Sequence, residues 1–231
     1  MNDIGFGIMC FGDDHYFQSA KEKEGKILQA GFDCTILTDN PRYFFSHYIY
    51  YGREVKSYHD KMILPKDILS TRDICILIDA DTYITDYSFL EDLKRYKFKE
   101  GISYIDTLYN HPEKKRFVHE LNFTRPEWYE YEKYAKSIFP KLYDLPLMWE
   151  YFLVINPPLD ADLKKFYITY EKLQIVKEFC DIRAKKDVLG NGEGVSISIA
   201  GALSGVPCQR DHDLYDLVSH KISNISKKWM K

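Results

Sequence analysis

Apolar runs of strand length alternate with helix-length stretches along most of the chain. Residues 4–11 form an apolar run that reads as a buried strand. Asp13 or Asp14 follows as a helix cap, and the helix covers about 16–30 and ends at Gly31. Residues 34–37 are a second strand, closed by the loop chemistry of Thr38-Asp39-Asn40-Pro41. A helix interrupted at Pro65 spans 58–69. Residues 74–78 are continuously apolar, the pattern of a strand covered on both faces, and so predict a central strand of a mostly parallel sheet. The stretch 109–147 is irregular, with a helix near 127–138. A strand over 151–155 stops at Asn156-Pro157-Pro158. A long helical stretch over 160–186, a glycine-rich loop at 190–194 and a small-residue helix over 195–203 come next. Strands alternating with helices, with no repeat and no linker, predict a single α/β domain.

Composition narrows the field. A chain of 231 residues with 45% hydrophobic and 29% charged residues is ordinary globular protein. A net charge of −3 gives no basic field to recruit nucleic acid or an anionic membrane. Aromatics reach 16%, with 19 Tyr, and a flat apolar face with a polar tip suits sugars and bases. The chain starts with no signal-like segment, and no run has the length of a membrane span. The five cysteines are scattered, with no Cys-x-x-Cys, which fits a reducing cytoplasm, bacterial or viral settings included.

The sharpest chemical feature is Asp79-Ala80-Asp81, directly after the 74–78 strand. Ligands of open α/β sheets gather beyond the carboxyl ends of strands. Two carboxylates there supply the oxygen donors that Mn²⁺ or Mg²⁺ prefers, and the ion can bridge to phosphate oxygens. Both side chains are expected to face a solvent-filled cleft. Two further Asp-x-Asp pairs occur. Asp160-Ala161-Asp162 comes after prolines and opens a helix, so capping explains it, and Asp211-His212-Asp213 lies in a polar stretch.

With its neighbours, this pattern resembles the GT-A glycosyltransferases, and within them the glycogenin-like retaining enzymes. Met9-Cys10-Phe11-Gly12-Asp13-Asp14-His15-Tyr16 is similar to the family's first strand and turn. The resemblance implies that Tyr16 covers the uracil and that backbone near Cys10 and Gly12 touches it. Asp39 closes the second strand of the same nucleotide-binding half, and Lys61 stands where the family keeps a donor-binding lysine. Glu150 to Asn156 is similar to the strand flanking the donor sugar. Ser219-His220 through Lys227-Lys228-Trp229 resembles the family's terminal pattern, with Ser223 in place of its glycine and Lys228 in place of its proline. The resemblance implies a Rossmann-like GT-A domain, mixed and mostly parallel, with residues 1–108 as nucleotide-binding half and 109–231 as acceptor half and metal-binding tail. It implies a UDP-sugar donor with Asp79, Ala80, Asp81 and Lys227 at the diphosphate. It also implies Mn²⁺ or Mg²⁺ on Asp79, Asp81 and His220, and a glycan or other hydroxyl acceptor. Glu193, in the loop before the 195–203 helix, is the candidate for sugar contact or catalysis, with Asp81 beside it.

Each assignment has a plainer alternative. His212, between two aspartates, rivals His220. Glu193 can cap the next helix, the terminal lysines can be a solvated tail, and Tyr16 can be core. A strand with Asp-x-Asp after it also opens haloacid-dehalogenase phosphatases, with Asp79 as nucleophile, but their later threonine is Tyr83 here. A nicotinamide-binding reading fails because Gly5 and Gly7 lie inside the strand. A non-catalytic sugar-binding module would have no use for the acidic pair.

Overall fold

The computed structural model describes residues 2–40, 42–50, 58–105, 126–146, 148, 151–183 and 193–224. The strands are β1 (Ile4–Cys10), β2 (Asp33–Thr38), β3 (Tyr48–Tyr50), β4 (Ile74–Ile78), β5 (Thr82–Ile84), β6 (Gly101–Tyr104), β7 (Phe152–Asn156), β8 (Cys208–Arg210) and β9 (Ile222–Asn224). The helices are α1 (Asp14–Gln29), α2 (Ile63–Ile68), α3 (Phe89–Leu93), α4 (Pro126–Ile138), α5 (Leu163–Arg183), α6 (Glu193–Ser204) and α7 (His212–Val218).

Seven strands form one sheet in the order β3-β2-β1-β4-β7-β6-β8, and β5 pairs with β9 in a separate ribbon. All sheet neighbours are parallel except at β7, which runs antiparallel to both β4 and β6. This is the expected Rossmann-like architecture, a mixed and mostly parallel sheet with flanking helices in one domain. The halves proposed on either side of residue 108 share that sheet, because β7 lies between β4 and β6.

The continuous apolar run of β4 is explained by burial on both faces. Ile74, Ile76 and Ile78 pack with Phe6, Ile8, Phe17, Ile27, Phe89 and Leu214, on the side covered by α1, α3 and α7. Cys75 and Leu77 pack with Leu64, Ile68, Phe166 and Ile197, under α2, α5 and α6. Pro65 sits in the first turn of α2, where a missing N–H leaves no helical bond unmade. A single turn of 3-10 helix at Tyr58–Met62 leads into it.

The plainer reading of the second Asp-x-Asp holds. Asp162 Oδ1 accepts from the Lys165 N–H at 2.9 Å, capping α5. The third is structural as well. Asp211 is fully buried, accepts from the Leu214 N–H at the start of α7 and pairs with Lys99 at 2.9 Å.

Two glycines are under opposite constraints. Gly101 opens β6 with φ +107°, and the Ile102 N–H to Pro207 carbonyl bond of 2.7 Å draws that carbonyl against it. A Cβ on Gly101 would lie 2.2 Å from the Pro207 oxygen. Gly25 is exposed inside α1, and a Cβ there meets nothing within 4 Å. Gly101→Ala is expected to cost more than about 3 kcal/mol, and Gly25→Ala to add about 0.5–1 kcal/mol. Urea midpoints of the two variants check the pair.

Candidate functional site

The strand order reverses between β1 and β4. The chain goes from β1 outward to β2 and β3 on one side, then returns to β4 on the other. The carboxyl ends of β1 and β4 therefore flank a switch point, where open α/β sheets form their ligand crevice. Gly12, Asp13, Tyr16, Asp39, Asp79 and Asp81 all come after the carboxyl ends of β1, β2 or β4.

The acidic turn is tied down at several points. The Asp79 N–H donates to the Tyr151 carbonyl at 3.1 Å, and the Thr82 N–H donates back to the Asp79 carbonyl at 3.0 Å, closing a four-residue turn. The buried Thr82 hydroxyl donates to the same Tyr151 carbonyl at 3.1 Å. Two lysines complete the arrangement. Lys61 Nζ lies 2.6 Å from Asp79 Oδ1, with Lys61 only 2% and Asp79 29% exposed. Lys23, also 2% exposed, donates to the Ala80 carbonyl at 2.9 Å and to the Ser19 hydroxyl.

The electrostatics reflect this crowding. Burial raises the Asp81 carboxyl pKa and the Asp79 charge adds to it, while Lys61, its own backbone N–H and Lys23 work the other way. Burial pulls the Lys23 ammonium down to about 8, against Glu22, Asp81, Cys10 and Asp79, which favour its charge. Two carboxylates are hard donors of the kind that, with substrate phosphate oxygens, hold Mg²⁺ or Mn²⁺, so the residues present fit a divalent ion.

Beside the turn, Gly12 has φ +92°, and a Cβ on it would be 3.7 Å from the Tyr16 ring. Tyr16 is half-buried, and burial, then the charges of Asp81 and Asp13, raise its hydroxyl pKa. The His15 ring lies 3.9 Å from it, centroid to centroid. The Cys10 thiol is buried and pushed up to about 12 by burial and by Asp39, so it stays protonated and offers no nucleophile. A second aromatic pair, Phe17 stacked on Tyr43 at 4.6 Å, fixes the loop after β2 to α1. Glu24 supports the same loop by accepting from the Ser46 N–H at 2.5 Å.

The structure therefore brings together Cys10, Gly12, Tyr16, Asp39, Lys61, Asp79, Ala80 and Asp81. It does not bring His220 to them. β5 and β9 pair Ile84 with Ile222, and the Thr85 N–H donates to the Lys221 carbonyl at 2.8 Å. His220 is therefore at the end of the ribbon remote from Asp81. His212 is exposed on the first turn of α7. Among the described residues, no group of three His, Cys, Asp or Glu side chains is placed to hold a metal. Glu193 begins α6, and its side chain, like Glu150 and Lys227, lies outside the described residues. Of the two aspartates expected to face a solvent-filled cleft, Asp79 keeps 29% exposure while one oxygen is engaged by Lys61.

Lys23 is the residue that sequence reasoning missed. Its signal is positional. Buried Phe17, Ala20, Glu24 and Ile27 mark the inward stripe of α1, and Lys23 stands within it. A lysine in an apolar stripe needs a buried partner.

No protein-family model and no curated protein sequence matches the chain. Among solved structures, it is similar to the crystal structure of the glycosyltransferase GlyE of Streptococcus pneumoniae TIGR4, with 14% sequence identity and a TM-score of 0.42. The match covers 94% of this chain and 46% of that one, so the chain spans about half of that protein's length. Among the described residues, no helix is long and apolar enough to cross a membrane.

The two aspartates differ in what they support. Asp79→Ala removes the carboxylate that lies 2.6 Å from the buried Lys61 ammonium. Breaking a fully buried pair costs about 3–5 kcal/mol. Because Asp79 keeps contact with water, a loss of about 1–3 kcal/mol is expected here. Asp81→Asn removes a charge that burial and Asp79 both disfavour, and is expected to change stability by less than about 0.5 kcal/mol. Denaturant midpoints compare the two, and a greater loss in the Asp81 variant would overturn the assignment.

Proposed function

We propose that the chain is a glycosyltransferase that moves a sugar from a nucleotide sugar, a UDP-sugar in the first instance, to a glycan or other hydroxyl acceptor. The observation that carries this reading is the Asp79-Ala80-Asp81 turn, fixed over two buried lysines beyond β4 at the switch point of the sheet. Asp79 and Asp81 are the residues that would hold Mn²⁺ or Mg²⁺. When bound, the ion offsets the charge that grows on the departing nucleoside diphosphate.

The chain's own residues divide the remaining work. Tyr16, backed by Gly12, offers a flat face for the base, and Asp39 borders it from the end of β2. Lys61 holds Asp79 in place, its ammonium donating to Oδ1 at 2.6 Å. The fixed turn means that little reorganisation is needed when the diphosphate arrives, which is the main source of such electrostatic stabilisation. Lys227, carried over from the family pattern, would add charge at the diphosphate. The third ligand of that pattern is not assigned to His220, whose place on the ribbon is remote from the turn.

A thermal-shift series tests this. UDP with Mn²⁺ at a hundredfold excess over Kd is expected to stabilise the chain by about 2.7 kcal/mol, a rise of roughly 5–10 °C for a chain of this size. A chelator or Asp81→Asn should remove the rise. An equal rise with chelator would sink the metal, and no rise with any nucleotide sugar would sink the transferase reading.

For stereochemistry, the family resemblance gives retention. The leaving phosphate can then accept the acceptor's proton, so no base is required on the opposite face. NMR of the freshly formed product should show the donor's anomeric configuration, and Glu193→Gln should keep a measurable rate. An inverted product, with a loss of about 10²–10⁴-fold in that variant, would make Glu193 the general base instead.

A further inference from the structure

We infer that Lys23 is a positioning residue for the acidic turn. Anchored on α1, its ammonium fixes the Ala80 carbonyl in the backbone that joins Asp79 to Asp81, and thereby sets the affinity of the turn for a divalent cation. The cation part rests on the function proposed above, and the peptide-anchoring part stands on geometry alone.

Packing does not account for this lysine. Its side chain is 2% exposed in a helix face whose Phe17, Ala20 and Ile27 are set into the apolar core, and desolvating a charge costs several kcal/mol unless its partners are well placed. Its ammonium donates to the Ser19 hydroxyl one turn earlier and to the Ala80 carbonyl, 57 residues away in sequence, at 2.9 Å. The other fixed points of the turn hold its two ends, Asp79 to Tyr151 and Thr82 to Asp79 and Tyr151. The Lys23 bond grips the peptide between Ala80 and Asp81, the stretch of the turn that these other bonds leave unheld. The charged and titratable groups facing the ammonium are Glu22 on its own helix, Cys10 on β1, and Asp79 and Asp81 beyond β4.

The alternative is a spectator charge, and the two roles differ in sign. A lysine near two carboxylates repels an incoming cation. If it did nothing else, replacing it with a neutral residue would tighten cation binding. If it positions the turn, the same replacement weakens binding in spite of the removed repulsion.

The unaltered chain, Lys23→Met and Lys23→Arg are compared in two measurements. The first is amide hydrogen exchange of the peptide spanning Asp79 to Thr82. The second is binding of Mn²⁺ alone, monitored by the electron paramagnetic resonance signal of the free ion. In Lys23→Met, exchange is expected to quicken at the turn, with β1 and β2 unchanged, and Mn²⁺ to bind about tenfold more weakly. Lys23→Arg, which keeps charge and N–H donors, should recover most of both. Unchanged exchange at the turn, or unchanged or tighter Mn²⁺ binding, overturns the inference. Should Lys23→Met fail to fold, the ¹⁵N ammonium resonance of Lys23 in the unaltered chain takes its place. It is expected to shift as Mg²⁺ is added, and a stationary signal overturns the inference. An unaltered chain that binds neither ion refutes the proposed function. The exchange data then decide alone whether Lys23 anchors the turn.

Discussion

Two ammonium groups buried against one acidic turn set the terms for the rest of this molecule. Lys61 and Lys23 arrive from different elements, a short 3-10 helix and α1, and meet the turn at Asp79 Oδ1 and the Ala80 carbonyl. Each charge would be intolerable in an apolar core by itself. Each is joined to the turn by a short contact, Lys61 to the Asp79 carboxylate and Lys23 to the Ala80 carbonyl. The turn and the helices are therefore not independent. Moving α1 exposes Lys23, and relaxing the turn takes acceptors away from both lysines. Such a set of contacts favours one arrangement over its neighbours, which is what a binding site needs and a hydrophobic contact alone does not give.

The reversed strand is the second constraint. β7 runs antiparallel to β4, so its start lies beside the end of β4, where the turn begins. That register delivers the Tyr151 carbonyl to both Asp79 and Thr82. A parallel neighbour would bring the end of its strand to that place instead. The mixed sheet is thus part of the site's construction, and the two halves expected from the sequence meet at this seam. On the other side, Phe17 against Tyr43, and Glu24 on the Ser46 N–H, tie the loop after β2 to the same helix that carries Lys23. One face of α1 therefore supports both walls of the crevice.

Much of this was legible in the sequence where the pattern was long or extreme. The five-residue apolar run of β4 needs cover on both faces, and its place in the sheet agrees with that need. The carboxylates after it stand out because a charge so close to a buried strand has to have a use. Short strands carry no such signal. β3, β5, β8 and β9 have three residues each, too few for a period-two pattern to emerge, and their pairing depends on partners elsewhere in the chain. Lys23 was hidden for a related reason. It reads as one of several charges in Lys21-Glu22-Lys23-Glu24, and only the helix phase separates those that face water from those that face the core.

His220 shows where a motif and a fold part company. Its spacing from the basic tail is similar to a family pattern, yet spacing along a chain fixes distance from a site only if the intervening backbone folds the same way. Here the segment enters an antiparallel ribbon with β5, and direction matters more than spacing. β9 ends opposite Thr82, next to Asp81, while His220 precedes its other end. The chain thus approaches the acidic turn as it leaves β9, after the histidine has been passed. In the turn, Lys61 engages one oxygen of Asp79 and Lys23 the Ala80 carbonyl. A divalent ion held by two aspartates completes its shell with water or phosphate oxygens, as Mg²⁺ sites that act on phosphates commonly do. Under the proposed function, the donor itself would supply the rest of the coordination, and ion and nucleotide would bind as a unit.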